Sequence, residues 1–286
     1  MSSRKSVFFT CISVLAVLSA CASAPPRITE PQFIPHHYTF SILYDTSHPG
    51  TTPQLDLAMT LLRMNSPAEQ VRFFNEVLYA GDDPFTYRDR IIREQREHFR
   101  SILSALEWGH EDDLDMSDDD DISRQFPHPR MGNWRYSERI HLESFHGRGM
   151  QVTRMIDTYT GGAHGMVMAR HFPMDLENLR LIRIDDLFQD YQGDRTRAVI
   201  YDELRRFNGL QDDLPLSEGI YNSDEPELTF NFFFTEEGLG LYWDPYAIAP
   251  YSAGGIEIII PWRRIRPWML HSGMELLTKF DIDILS

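Results

Sequence analysis

Three consecutive stretches decide the fold of this chain: WRYSERIHLESF (134–145), MQVTRMIDTY (150–159) and MVMARHF (166–172). Apolar and polar residues largely alternate within them, which is typical of strands that bury one face. The connections HGRG (146–149) and TGGAHG (160–165) are short and rich in glycine, so they favour tight turns. The sequence therefore predicts an antiparallel meander of three long strands.

The region before the meander is predicted to contain a strand and two helices. Residues 37–44 alternate as a half-buried strand, whereas residues 55–64 fit a strand or a helix. Ser66-Pro67 and Asp83-Pro84 each favour the start of a helix, because proline is tolerated in a first helical turn. The side chains expected on the buried face of the first strand are Tyr38, Phe40, Ile42 and Tyr44.

The region after the meander mixes short strands with helices. Its patterns predict strands at 181–184, 228–234, 238–243 and 255–260, a helix at 195–207, and a partly helical return over 262–277. Together these elements predict an α+β fold. Antiparallel sheets, built from the meander and from hairpins, would pack with a few helices in two intimate subdomains.

The N-terminus has the features of a secretory signal. Arg4 and Lys5 precede an apolar stretch, residues 7–18, which is too short to span ~30 Å of hydrocarbon as a helix. The run LSAC that ends at Cys21 resembles a bacterial lipobox, which implies cleavage before Cys21 and a diacylglyceryl group on its sulfur. The alternative is an ordinary secretory signal with a chance cysteine. Ala22, in place of aspartate, favours sorting to an outer membrane.

The chain is acidic, with 27 basic and 43 acidic residues and a formal net charge of −16. Loss of residues 1–20 would remove two basic residues and no acid, which leaves a net charge of −18. This balance repels nucleic acid and would attract a basic partner, with an attraction that salt weakens. The alternative interpretation is that the acidity only maintains solubility.

Cysteine usage and one acidic stretch restrict the chemistry further. Cys11 would leave with the signal and Cys21 would be acylated, so we expect no disulfide within the mature chain. Eight of the eleven residues 111–121 are acidic, which favours a solvated loop. A loose calcium site is the open alternative, because hard cations bind several carboxylate oxygens.

No established catalytic motif occurs in the sequence. The segment from His141 to His146 contains Glu143, but its histidines are five residues apart, whereas the metalloprotease pattern needs four on a helix. The sequence also contains neither a Gly-x-Ser-x-Gly elbow nor a phosphate-binding loop. We therefore predict no catalytic residues, no metal site and no cofactor.

The candidates for ligand contact lie in two loops. Gly161 and Gly162 favour a backbone with positive φ, from which His164 would project toward a ligand. Alternatively, the ring of His164 hydrogen-bonds its own turn. Tyr246 and Tyr251 would line a groove for a sugar or a protein partner. Alternatively, these two rings, each beside a proline, anchor their loop onto the core.

Four segments together carry a family resemblance. YTGGAHG (159–165) and IDDLF (184–188), with FTEEGL (234–239) and YAIAPYSAG (246–254), resemble the extracellular modules of RsiV-like and PdaC-like proteins. The resemblance implies an α+β ectodomain of the bacterial envelope, whose relatives sense lysozyme or accompany peptidoglycan deacetylase domains. We find no sigma-binding region, transmembrane segment or deacetylase segment in the sequence, so we expect neither signalling by regulated cleavage nor deacetylation.

The expected organisation is a signal peptide at 1–20, a proline-rich tether at 21–35, a PdaC-like N-terminal subdomain at 36–174 and an RsiV-like C-terminal subdomain at 175–286. The predicted function is a lipid-anchored envelope binding protein, attached to the outer membrane and facing the periplasm. Its expected ligand is a lysozyme-type muramidase or a peptidoglycan fragment. A structural envelope lipoprotein and a cell-wall hydrolase remain the alternatives.

Overall fold

The structure is a computed structural model, and it describes residues 31–44, 53–108, 133–161, 163–211 and 214–284. Residues 31–286 form one compact unit. The predicted signal peptide, Cys21, Gly162 and the acidic stretch 111–121 lie outside the described residues.

A six-stranded sheet is the larger of two sheets in the described residues. Its strand order follows the chain, and all neighbouring pairs are antiparallel except β2–β3, which is parallel. The strands are β1 (Gln32–Leu43), β2 (Gln54–Asn65), β3 (Trp134–His146), β4 (Gly149–Tyr159), β5 (Met166–Asp175) and β6 (Arg180–Leu181). The meander predicted for 134–172 is therefore confirmed, and residues 55–64 belong to a strand.

The parallel pair is the one departure from the predicted antiparallel sheets. Between β2 and β3 the chain forms α1 (Ala68–Tyr79) and α2 (Pro84–Trp108), and a long crossover of this kind can return the chain in the same direction. In addition, β1 begins at Gln32, within the range predicted as a tether. Pro35 is tolerated there because β1 is an edge strand.

Helices α1 and α2 cover one face of the large sheet. Phe74 and Leu78 from α1 and Phe99 from α2 are buried against Leu57 and Leu61 of β2. The aromatic and aliphatic side chains predicted for the buried face of β1 pack on the same cluster, which confirms that prediction: Tyr38, Phe40, Ile42 and Tyr44. The opposite face of the sheet contains the cross-strand row of His141, Thr153 and His171.

A buried carboxylate connects α2 to the sheet. Glu138 on β3 is fully buried, and it accepts hydrogen bonds from the hydroxyls of Tyr87 and Tyr136, each at 2.8 Å. The guanidinium Nε of Arg154 on β4 lies 3.2 Å from the same carboxylate. Burial and the nearby Glu138 raise the pKa of both tyrosines, so they remain neutral donors.

A three-stranded antiparallel sheet has its own hydrophobic core, formed by residues between Ile182 and Ile284. The strands are β7 (Phe232–Phe234), β8 (Gly238–Trp243) and β9 (Ile256–Pro261), and the helices are α3 (Asp194–Phe207), α4 (Trp262–Ile265) and α5 (His271–Leu277). The α+β fold class is confirmed. The strands predicted at 228–234 and 181–184 are both shorter, and the turn of helix predicted at 185–188 is a 3-10 turn at Ile184–Asp186.

Gln151 joins the two sheets. Its side chain is 7% exposed, and its amide accepts a hydrogen bond from the backbone N–H of Phe234 at 2.6 Å and donates one to the carbonyl of the same residue at 2.9 Å. The side chain thus substitutes for a neighbouring strand at the edge of β7. As a result, β7 is held beside the meander. None of the helices in the described residues is long and apolar enough to cross a membrane.

Candidate functional site

Three of the predicted contact residues form one aromatic cluster. The rings of His164 and Tyr251 stack with centroids 3.6 Å apart and planes inclined by 15°. Tyr246 contacts both, with ring centroids 6.3 Å from His164 and 5.4 Å from Tyr251. We call these three residues the aromatic cluster. It joins the β4–β5 turn to the β8–β9 loop.

Backbone conformation in both loops sets the cluster in place. Gly161 has φ +87°, as predicted for this turn, and a side chain would be strained in that conformation. A Cβ on Gly165 would lie 2.5 Å from the carbonyl oxygen of Thr158, so the turn closes tightly against β4. Tyr246 itself has φ +71°, an unfavourable conformation for a large side chain. Backbone strain of this kind occurs preferentially at functional sites.

The hydrogen bonds of His164 fit one tautomer. Nδ1 lies 3.2 Å from the carbonyl oxygen of Gly165, so it donates, and Nε2 accepts from the hydroxyl of Tyr246 at 3.3 Å. The ring therefore bonds its own turn, as the alternative interpretation expected, and also contacts both tyrosines. Tyr246 is 52% exposed, so its ring does not anchor the loop in the core.

A cleft of about 550 Å³ lies between β5, the segment 227–231 and the end of β8. Asp244 and Arg170 form an ion pair across it at 2.5 Å, and the amide of Asn231 bonds the backbone of Ala169 and His171 at 2.8 and 2.9 Å. These two side chains, from Asn231 and Asp244, cover the free edge of β5. Ala247, directly after Tyr246, also lines the cleft, whereas His164, Tyr246 and Tyr251 are not among its lining residues.

Asn231, directly before β7, bonds both sheets. Its side chain bonds the backbone of β5, and its carbonyl oxygen accepts a hydrogen bond from the N–H of Tyr242 in β8 at 2.9 Å. Phe230 is 56% exposed beside the cleft and Leu181 is 39% exposed across it. The lining of the cleft therefore combines apolar side chains with an ion pair, a composition typical of small-molecule sites.

The histidines near Glu143 do not form a metal site. Glu143 occupies a β-bulge between the pairs Leu142–Val152 and Ser144–Gln151, and its carboxylate lies 2.7 Å from Nε2 of His141. His146 instead lies 3.1 Å from Asp281. Among the described residues there is no group of three His, Cys, Asp or Glu side chains with the geometry for a metal ion.

Sequence reasoning missed the polar residues of the cleft. Arg170 and His171 are adjacent on β5, and Asn231 and Asp244 follow much later in the chain. No local pattern predicts their convergence, because it depends on β7 packing beside β5. The dipeptide Asp244-Pro245 before the aromatic loop was the one available signal, since this pair favours a turn.

The fold defines an α+β protein built from two sheets with a cleft between them, and comparisons with known proteins give a family match and two structures of similar fold. Residues 185–263, which include Tyr246 and Tyr251 but not His164, match DUF3298, a family described as a protein of unknown function. No curated protein matches the sequence.

Two solved structures are similar in fold. A member of the DUF3298 family from Bacteroides fragilis NCTC 9343 is 18% identical, with a TM-score of 0.68, over 88% of this chain and 97% of that one. A DUF3298 family protein from Pseudomonas aeruginosa PAO1 is 16% identical, with a TM-score of 0.50, over 84% and 96%. At these identities the likeness concerns the fold alone.

Proposed function

We propose that this chain is a lipid-anchored binding protein of the cell envelope that captures a peptidoglycan fragment at the cleft. The observation that carries the proposal is the exposed aromatic cluster, whose Tyr246 directly precedes Ala247 in the lining of the cleft. Aromatic rings offer an apolar face to the C–H groups of a sugar, while nearby polar groups bond its hydroxyls. The resemblance to envelope ectodomains favours wall sugars among the glycans.

The size and rigidity of the site support this choice. A cleft of about 550 Å³ is within the usual range of ligand sites, ~300–1,000 Å³. His164 is fixed between two tyrosines by stacking and hydrogen bonds, so a ligand would immobilise few side chains. Preorganisation of this kind favours affinity because less entropy is lost on binding.

The direct test is a calorimetric titration of the purified full chain with a defined disaccharide-peptide from peptidoglycan. Saturable binding of one equivalent supports the proposal. Absence of heat at millimolar concentrations overturns it. Chromatography of the mixture after long incubation would separate binding from catalysis, because turnover of the fragment would favour the hydrolase hypothesis instead.

A basic muramidase of the lysozyme type is the second candidate ligand, favoured by the net charge of −16. Long-range attraction to such a protein is screened beyond ~10 Å at 0.1 M salt. We therefore expect an association rate for lysozyme that falls steeply between low and moderate salt, measured by stopped flow. Binding of the disaccharide-peptide, which carries far fewer charges than lysozyme, would change less over the same range, so the size of the salt dependence distinguishes the two ligands.

The proposed location rests on the lipobox-like run that ends at Cys21. Mass spectrometry of the protein from membranes should find diacylglyceryl and acyl groups on an N-terminal Cys21. Cys21→Ser should release the protein into the soluble fraction. An unmodified Cys21 in a correctly exported protein would overturn the lipid anchor without affecting the binding proposal.

A further inference from the structure

A second cavity, of about 350 Å³, shares the lining residue His171 with the cleft. It forms where β7 and β9 meet the meander, and Glu143, His171, Phe233 and Glu257 are among its lining residues. These four come from four different strands, β3, β5, β7 and β9. None of the sequence motifs or comparisons assigns a role to this cavity.

The cavity is lined by two carboxylates and by a histidine ring. Among the described residues Glu257 forms no ion pair, and the ion-pair partner of Glu143 is the ring of His141, at 2.7 Å. The Nε2 atom of His171 is buried and has no hydrogen-bond partner, while Nδ1 bonds the hydroxyl of Thr153 at 2.9 Å. A buried polar atom without a partner costs about 1–3 kcal/mol, which a ligand that bonds it would recover.

The electrostatics of the cavity favour a cation. Burial and the neighbouring Glu143 raise the pKa of Glu257, which indicates carboxylates close enough to repel each other. Burial lowers the pKa of His171 to about 4, so its imidazole is neutral at neutral pH and does not oppose a positive ligand. A positive group between the two glutamates would relieve their repulsion.

The chemistry of the lining favours an organic cation over a metal ion. No metal-binding group of three such side chains occurs in the described ranges. The ring of Phe233 packs on His171 with centroids 4.6 Å apart and provides an aromatic wall, which attracts ammonium groups. A primary ammonium has three N–H donors, and the cavity has three acceptors for them in Glu143, Glu257 and Nε2 of His171.

We propose that this cavity binds a primary alkylammonium group, paired with the carboxylates of Glu143 and Glu257, bonded to Nε2 of His171 and in contact with the ring of Phe233. Such a group occurs on the diamino acids of wall peptides and on the lysines of basic proteins. The proposal does not require that the cleft beside the aromatic cluster binds a glycan, because the two sites differ in their lining apart from His171.

The test is a titration of the full chain with Nα-acetyl-lysine methylamide, followed by calorimetry and by the 15N shift of His171 Nε2. We expect saturable binding that acetylation of the probe's ε-amine abolishes. Glu257→Gln, which keeps the size of an exposed side chain, should weaken binding at least tenfold. Glu97→Gln, the same change of charge on the exposed side of α2, should leave it unchanged.

Two further arms distinguish the source of the amine. One uses a wall peptide with a free side-chain amine and the other uses lysozyme, each against the wild type and Glu257→Gln. The natural source is the ligand that the substitution weakens. Absence of probe binding at millimolar concentration, or equal binding by wild type and Glu257→Gln, would overturn the proposal. Neither result would bear on glycan binding at the aromatic cluster, which Tyr246 variants test separately.

Discussion

The imidazole of His164 stacks on the phenol of Tyr251, with ring centroids 3.6 Å apart, although the two residues come from different sheets. His164 follows β4 of the large sheet, and Tyr251 precedes β9 of the small one. The contact therefore depends on the packing of β7 beside β5. A ligand that binds the aromatic cluster would contact both halves of the molecule and would stabilise their association.

Tyr246→Gly should weaken binding of the disaccharide-peptide at least tenfold without loss of stability. The substitution removes an exposed ring and also removes the strain of φ +71°, since glycine adopts positive φ freely. The left-handed conformation costs about 1–2 kcal/mol for residues with a Cβ, which offsets the greater flexibility of glycine in the unfolded chain. We expect the free energy of unfolding to change by less than about 1 kcal/mol.

Phe207→Ala is the matched control for Tyr246→Gly, because Phe207 is also 52% exposed and lies at the end of α3, outside the cleft. Its removal should leave affinity unchanged. If Tyr246→Gly bound the fragment as tightly as the wild type, the strained tyrosine would have no part in recognition.

Glu138→Ala should destabilise the protein by about 3–5 kcal/mol, because it leaves the guanidinium of Arg154 and two buried tyrosine hydroxyls without their shared acceptor. Urea denaturation followed by circular dichroism measures this change. Glu97→Ala on the exposed side of α2 should cost less than about 0.5 kcal/mol. Similar values for the two variants would mean that the buried network adds nothing to stability.

His171 should make stability depend on pH in the mildly acidic range. Burial lowers its pKa in the folded protein to about 4, against 6.5 for an ordinary histidine, so the unfolded chain binds a proton at higher pH than the folded one. The stability due to neutral His171 is complete above pH 6.5 and is lost as the pH falls toward 4. This group changes the free energy of unfolding by at most about 1.4 kcal/mol per pH unit.

The measurement compares the free energy of unfolding of the wild type with that of His171→Gln between pH 7.5 and 4. The titratable groups that both proteins share cancel in the difference. The wild type should lose stability faster than the variant in this interval. If the free energies of unfolding of the two proteins changed equally with pH, the pKa of His171 would be the same in the folded and unfolded states.

Lys279→Met should destabilise the C-terminal region of the chain by about 3 kcal/mol. Nζ of Lys279 lies 2.7 Å from the carboxylate of Asp175, which is fully buried at the end of β5. Burial favours the neutral acid at Asp175, but Lys279 and Asn178 lower its pKa below the ordinary value. Hydrogen exchange should detect faster opening of residues 276–284 in the variant; unchanged protection there would contradict the role of this ion pair.

The sequence predicted the elements of the meander because their alternation is local, and β3, β4 and β5 begin and end within three residues of the predicted bounds. It also pointed to His164, Tyr246 and Tyr251, on the glycine-rich turn and the proline-flanked loop; the structure brings their rings together, and their contact with a ligand stays a prediction. The parallel β2–β3 pair was not predictable, since its direction depends on how α1 and α2 cross the sheet.

The polar residues of the cleft and of the second cavity were not predictable for a related reason. Asn231 and Asp244 bond β5, and Glu257 lines a cavity with β3 and β5, where hydrogen bonds such as those of Gln151 hold the small sheet beside the meander. Glu143 lines the second cavity from a β-bulge. A bulge interrupts the alternation of side chains along a strand, so the sequence pattern does not predict on which face of the sheet Glu143 lies. Contacts between distant strands therefore determine both sites.

Recognition of a wall fragment by the aromatic cluster is best tested by an NMR titration of the full chain with the disaccharide-peptide. We expect saturable shifts at His164, Tyr246 and Tyr251 and at the cleft residues Arg170 and Asn231, with loss of these shifts in Tyr246→Gly. Saturable shifts confined to another surface, or no shifts at millimolar fragment, would contradict recognition by the cluster.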